Sequence, residues 1–315
     1  MKNPLITVIT PYYNNAETYY LSMDSVLTQT YPAIQYILVD DGSRDFDEEA
    51  IRAHFDAEKR PNIAEFLILR NETNLGTVKA LNRALDEAES EYIYTLAADD
   101  CFADDEVLSD WTAEFLRTGA MVLTAKRNVY DNGMKTYLST APDEKQISMI
   151  QTLSPEELFE ALTGSNFIFS CCTAYTKRCY NLVGGLDERY RLVEDYPMNL
   201  KLLRQGVRFT FFDRVVIRYR RGGVSNAVNI DHSYVREADE IFYNESYPYA
   251  KHKCKARRAY HKWRSQSLAM RDANALREKY RPSESFLRKF VFLSVMTLLH
   301  PFYMLKKLFL RKKKA

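Results

Sequence analysis

Several large protein classes are set aside by what this 315-residue sequence lacks. It has only five cysteines, at 101, 171, 172, 179 and 254, and no C-x-x-C pair. Neither a disulfide framework nor a cysteine zinc site is expected, and the thiols read as reduced in a cytosolic setting. The opening Met1-Lys-Asn-Pro-Leu5 runs almost directly into a strand pattern, without an apolar segment and small-residue cleavage site, so no secretory signal is expected. No internal repeat and no low-complexity tract is found. With 46% hydrophobic and 27% charged residues, bulk disorder is excluded and a globular body is expected.

What is present is unevenly distributed. Residues 251–315 carry nineteen of the 44 Lys and Arg against three acids, Asp272, Glu278 and Glu284, a net of +16, leaving −14 for residues 1–250. This split predicts a basic appendage that binds an anionic surface, on a body that would be repelled by one. Lys251, Lys253, Lys255, Arg257, Arg258, Lys262 and Arg264 surround Tyr260 and Trp263, and Phe290–Leu305 holds no Lys, Arg, Asp or Glu. Those sixteen residues give about 24 Å of helix, short of the ~30 Å hydrocarbon core, and His300 and Pro301 interrupt them. A helix lying in the headgroup region of an anionic membrane is therefore expected, with a buried or dimer-forming helix and a true span as the alternatives; nucleic-acid binding is not expected.

Along the first half, apolar strand patterns at 5–10, 34–40, 66–69, 91–96 and 121–125 alternate with helical patterns at 16–29, 46–58, 77–89 and 105–118. Such alternation predicts crossover units and a mainly parallel sheet flanked by helices. The second half is less regular. Residues 129–149 read as loops and short strands, 158–162 as the start of a helix, and 167–175, 209–212 and 215–219 as extended chain. Beyond about 230 the pattern is helical and basic.

Three strands end in polar or acidic turns: Ile6–Thr10 before Pro11-Tyr-Tyr-Asn14, Tyr36–Val39 before Asp40-Asp-Gly-Ser43, and Tyr92–Leu96 before Ala97-Ala-Asp-Asp100. In an open α/β sheet such ends converge on one crevice, where ligands bind. Acids gathered there suit a metal-bound, phosphate-bearing ligand. Pro11 and Tyr13 offer a surface for a planar base, and a carboxylate at 40 or 41 can accept from an imide N–H. Asp-Gly-Ser is equally an ordinary turn, in which one of the two acids acts as a cap. The loop Asn74–Gly76 allows close backbone approach, and Lys79 is within reach of a phosphate or lies solvated on its helix. A further acid pair, Glu194-Asp195, follows Gly184-Gly-Leu-Asp187.

In this order the motifs, with Leu27-Thr-Gln-Thr-Tyr31 and Asn74-Leu-Gly-Thr-Val-Lys-Ala-Leu-Asn82, resemble the inverting family 2 nucleotide-sugar glycosyltransferases of the GT-A fold over roughly residues 1–225. The resemblance implies a GT-A domain at 1–228, with a nucleotide-binding half (1–100) and an acceptor half (101–228), followed by a basic helical extension at 229–315. It implies transfer of one sugar from a UDP- or dTDP-sugar to a hydroxyl of a glycan, lipid-linked in light of the tail, in capsule, O-antigen or cell-wall polysaccharide assembly at the inner face of the membrane. It favours Asp41 over Asp40 for the base, Asp99 for ribose or a metal-bound water, Asp100 for Mn²⁺ or Mg²⁺, and Asp195 as general base with Glu194 beside it. Asp187 is expected to orient substrate hydroxyls. Two departures stand out: Ala97 replaces an acid common two residues before Asp99, and Tyr219-Arg-Arg-Gly-Gly-Val-Ser225 lacks a histidine that many relatives have. Arg220 and Arg221 stand in the region: an arginine, Arg221 foremost, clamps the diphosphate in its place, or they pair structurally with the acidic body. The Q-x-x-R-W signature of processive synthases is absent. An inactive nucleotide-sugar or polysaccharide-binding module and a nucleotidyltransferase are the alternatives; the second lacks a glycine-rich phosphate loop after the first strand.

Overall fold

The computed structural model describes residues 3–222, 232–280, 286–301 and 304. Strand β1 (Ile6–Tyr12), helix α1 (Tyr19–Leu27), β2 (Ile34–Asp40), α2 (Glu48–Glu58), β3 (Ile63–Arg70), α3 (Thr77–Glu87) and β4 (Tyr92–Thr95) form the expected alternation. They are followed by β5 (Cys101–Phe102), α4 (Val107–Thr118), β6 (Val122–Tyr130), β7 (Tyr137–Ala141), α5 (Glu144–Thr152) and α6 (Pro155–Leu162). The remainder is β8 (Thr173–Thr176), α7 (Lys177–Val183), α8 (Asp195–Arg204), β9 (Phe209–Arg220), α9 (His232–Ile241), α10 (Lys253–Tyr280) and α11 (Phe286–Leu299).

One sheet runs through the body in the order β3-β2-β1-β4-β8-β6-β9-β5, with β7 beside β6. The first four strands of that order pair in parallel, as expected. Beyond β4 the sheet is mixed: β8 is antiparallel to both β4 and β6, β9 is parallel to β6, and β5 is antiparallel to β9. The period-2 alternation of the central strands explains the layering. Ile9, Ile37 and Ile93 face a core shared with α3, α6 and α8, while Val8, Tyr36, Leu38 and Tyr94 face one shared with α1, α2 and α4.

Three local readings change. Residues 167–172 are loop and a short 3₁₀ turn (Ser170–Cys172), and only Thr173–Thr176 is strand; the apolar Phe167 and Ile168 are core residues of a buried loop. The region 129–149 contains a helix, α5, whose start is fixed by a capping box between Asp143 and Gln146. The two extended pieces at 209–212 and 215–219 are one bulged strand, β9.

The first helix of the extension packs onto the body: Ile241 is fully buried in the core that holds α8. Tyr260 and Arg264 of α10 both donate to the carboxylate of Asp239 on α9. Helices α10 and α11 lie against each other, with His300 Nε2 2.8 Å from Asp272 Oδ2. Among the described residues no helix is long and apolar enough to cross a membrane.

Candidate functional site

The turns after β1 and β2 are locked together. Asp41 N–H donates to Tyr12 O, Asn14 N–H donates to Ser43 Oγ (2.9 Å), and Arg44 N–H donates to Asn14 Oδ1 (3.1 Å). Asp40 accepts from Ser43 N–H at 3.0 Å and meets Arg70 at 3.3 Å, the behaviour of a turn cap. Asp41 has a larger structural task. Its Oδ1 accepts from Asn71 Nδ2 (2.9 Å) and Leu75 N–H (2.8 Å), and its Oδ2 accepts from Gly76 N–H (2.8 Å). A carboxylate has about four lone-pair positions, so one remains for an imide N–H.

Gly42 and Gly76 make this approach of loops feasible. Both have positive φ, +73° and +94°, and a Cβ on Gly42 would sit 2.5 Å from the Thr73 carbonyl carbon. A Cβ on Gly76 would sit 2.7 Å from the Arg191 carbonyl oxygen. Arg191 O in turn accepts from Val78 N–H at 3.2 Å. The loop held by Asp41 is thereby pressed against the chain that leads to Glu194 and Asp195.

The turn after β4 is gripped by α1, from which Thr18 and Ser22 donate to Ala98 O and Ala97 O. Asp100 is 1% exposed. Its Oδ1 accepts the Arg220 N–H at 2.8 Å, while its buried Oδ2 has no hydrogen bond among the described residues. Burial and the charge of neighbouring Asp99 hold its pKa well above the usual carboxylate range. Asp99 is also raised by burial. The described residues contain no ready cage of three or more His, Cys, Asp or Glu. What they offer is one buried carboxylate oxygen awaiting a donor or a cation, with a second carboxylate adjacent. That set fits Mg²⁺ or Mn²⁺, which often take one or two carboxylates and complete their shell with phosphate and water.

Asp195 is the first residue of α8, and Glu194 precedes it. Asn166 Nδ2 donates to Asp195 Oδ2 at 3.0 Å, and its orientation is set by Ile168 N–H donating to Asn166 Oδ1. Both acids are partly buried and both are raised: burial dominates in each, and repulsion from Asp195 adds to the rise at Glu194. The helix N-terminus favours the charged form, but burial outweighs it. A small cavity beside them is lined by Thr95, Ser170, Tyr175 and Tyr180. Cys171 lies near both acidic sites: it adds to the raised pKa of Asp100 and of Glu194, and Asp195 opposes the lowering of its own thiol. Its sulfur accepts from Arg127 Nη1 at 3.2 Å, and Arg127 is stacked between Phe169 (3.9 Å) and Tyr219 (4.1 Å).

The other expected residues are placed as follows. Pro11 is partly buried in β1, and Tyr13 is 48% exposed just beyond it, open to a planar ligand. Lys79 is exposed on α3. Asp187 is occupied by ion pairs to Arg189 and Lys201, both at 2.6 Å, which hold its pKa well below the usual carboxylate range. Arg189 also ties it to Glu245, which binds Arg204 as well, so Asp187 braces the loop before α8. Arg221 is exposed, and the arginine at the acids is its neighbour: Arg220 donates its N–H to Asp100 and its Nε–H to Asp99 O (2.9 Å). Asn166, Cys171 and Arg127 were not anticipated. Arg127 follows Lys126 just beyond the apolar strand pattern at 121–125, so its sequence marked it no more than the other two.

Known proteins resemble this chain in sequence and in fold. A family model described as Glycosyl transferase family 2 matches residues 7–181, more than half of the chain. Chondroitin synthase of Pasteurella multocida is 27% identical over 231 residues, 72% of this chain but 22% of that protein. An uncharacterized glycosyltransferase of Haemophilus influenzae is 32% identical over 168 residues, 53% of this chain and 60% of that one. The chain thus spans less than two thirds of the length of either relative. Among solved structures, S. aureus TarS 1–349 in complex with UDP-GlcNAc superposes with a TM-score of 0.58 at 18% identity, covering 94% of this chain and 82% of that one. The mannosyltransferase PcManGT of Pyrobaculum calidifontis, in complex with GDP-Man and Mn²⁺, gives 0.59 at 17%, covering 94% and 81%. The fold is that of GT-A glycosyltransferases, and the chain belongs to glycosyl transferase family 2.

Proposed function

We propose that this chain transfers one sugar, with inversion, from a UDP- or dTDP-sugar to a hydroxyl of a glycan acceptor, lipid-linked and destined for a surface polysaccharide. The observation that carries the reading is the two acidic sites: the Glu194–Asp195 pair, partly buried with both carboxyls raised by burial, and Asp100, whose buried Oδ2 is open to a cation. Asp195 takes the proton of the attacking hydroxyl. Its raised pKa brings its basicity closer to what an alcohol needs at neutral pH, and Asn166 fixes its orientation. Asp100, with Asp99 beside it, would hold Mn²⁺ or Mg²⁺, which when bound neutralises charge on the departing diphosphate. Arg220 places the Asp99–Asp100 turn through its N–H and Nε–H. Exposed Tyr13 faces the base, with the fourth lone-pair position of Asp41 nearby.

The relatives support a polymer-building context, one being named a chondroitin synthase and another, from Pasteurella multocida, a hyaluronan synthase. The C-terminal helices support docking at the inner face of the membrane. Lys253, Lys255, Arg257, Arg258 and Lys262 are exposed on α10, and Leu298 of α11 is 84% exposed.

The test is a panel of UDP- and dTDP-sugars with Mn²⁺, read as nucleotide diphosphate release with and without candidate acceptors. Asp195→Asn should abolish release while calorimetric binding of UDP with Mn²⁺ persists. Normal turnover by that variant would remove Asp195 from its role. Metal-independent UDP binding without turnover by the unaltered chain would instead favour a binding module.

A further inference from the structure

The three residues before Glu194 lie in no helix or strand, yet they set where the catalytic pair sits. On one side Arg191 is held by α3, through its carbonyl and the Val78 N–H. On the other side Leu192 and Val193 turn their N–H groups toward a single carboxylate oxygen. That oxygen is Glu237 Oε2, at 2.8 Å from Leu192 N and 3.1 Å from Val193 N. Glu237 lies on α9, 5% exposed. Buried carboxylates without such partners are costly, and charge-assisted bonds to backbone N–H are among the stronger ones a protein makes. Helix α9 itself is anchored by Ile241 in the core and by Asp239, which receives Tyr260 and Arg264 of α10.

We propose that Glu237 is a positioning residue for the transfer reaction, holding the Leu192–Val193 backbone so that Asp195 meets the acceptor hydroxyl in the right place. The inference rests on the reading of Asp195 as general base and extends it to a helix outside the matched family region. It also implies that the catalytic pair is braced from both ends of the chain. Asp41 acts through Gly76 and Arg191, and Glu237 acts directly two residues before Glu194.

Two substitutions separate reach from charge. Glu237→Gln keeps a carbonyl oxygen at the same distance, and Glu237→Asp keeps the charge but is one methylene shorter. The assay is release of UDP from the best sugar nucleotide of the panel, below each variant's Tm, with UDP–Mn²⁺ affinity measured by calorimetry. We expect Glu237→Asp to lose about tenfold or more in kcat, since small misplacements of catalytic groups are that costly. Its UDP affinity should stay within about threefold, and the acid limb of its kcat profile should move to lower pH as water reaches the loosened pair. Glu237→Gln should retain most of kcat and the original acid limb. Asp239→Asn, which loosens α9 from α10 without touching the loop, should lower Tm and leave the acid limb in place. Wild-type kcat and pH profile in Glu237→Asp, while Asp195→Asn is inert, would overturn this inference alone. Turnover by Asp195→Asn would overturn it together with the base assignment.

Discussion

Asp41→Ala tests whether that carboxylate organises the site or only reads the base. In the structure it receives three donors, two of which, Asn71 Nδ2 and Gly76 N–H, belong to buried residues, while Leu75 is 41% exposed and its N–H can turn to water. Leaving a buried donor unmet costs about 1–3 kcal/mol, so the two together predict a loss of about 2–6 kcal/mol. With an unfolding entropy of ~2.1 cal/mol/K per residue over 315 residues, this lowers Tm by about 3–9 °C. Asp41→Asn should fall between, because its amide group replaces one accepting oxygen with a donor that must face an N–H. The assay is thermal unfolding of the ligand-free protein beside calorimetry with UDP and Mn²⁺. The clamp reading requires a lower Tm and weaker nucleotide binding together, since the Asn71–Gly76 loop comes loose. A Tm within about 1 °C of wild type would refute it, and weak UDP binding at unchanged Tm would make Asp41 purely a base contact.

Three further outcomes are expected. The folded pKa values of Glu194 and Asp195 are raised, so their contribution to stability is complete below the ordinary carboxylate value near ~4 and is lost as pH rises through about 6 for Asp195 and about 8 for Glu194. Activity runs the other way and should fall as pH drops through about 6, so Asp195→Asn should unfold at the same or higher temperature than wild type at pH 8 while transferring nothing. Mn²⁺ with UDP should raise the wild-type Tm, and Asp100→Asn should lose that rise. Co-sedimentation should be strong with vesicles containing anionic lipid, weak with neutral phosphatidylcholine vesicles, and reduced by salt, and replacing Lys253, Lys255, Arg257 and Arg258 with Gln should weaken it at about 1 kcal/mol per charge near the surface.

The parts of the fold that could be read from sequence were those whose residues repeat a simple period. Strands β1, β2 and β4 are apolar runs closed by turn residues, and α3 shows one sharply apolar face with Val78, Leu81 and Leu85 buried. The parts that escaped were set by distant partners. Phe167 and Ile168 have a strand's composition, but their place is a buried loop between α6 and β8. The ion pairs of Asp187 with Arg189 and Lys201 depend on how the loop before α8 folds back, which no local pattern reveals. That Arg220 reaches the Asp99–Asp100 turn follows from the register of β9 beside β5, defined by the pairing of Cys101 with Arg218. Glu237 carried no motif at all; only its contact with Leu192 and Val193 gives it meaning.

The pairing of β5 with β9 has a consequence for how the molecule is made. Asp100 receives its backbone donor from Arg220, 120 positions later, whereas Ser22 of α1 already holds the same turn from its N-terminal side. A nascent chain leaving the ribosome therefore completes its sheet's leading half with an acidic turn only half-restrained. Contacts of such long separation form late, so the cation site ripens after the nucleotide loops. A fragment ending at residue 118 would be a vessel without its closing seam, able to collapse around α1 to α4 yet lacking the donor that sets the orientation of Asp100.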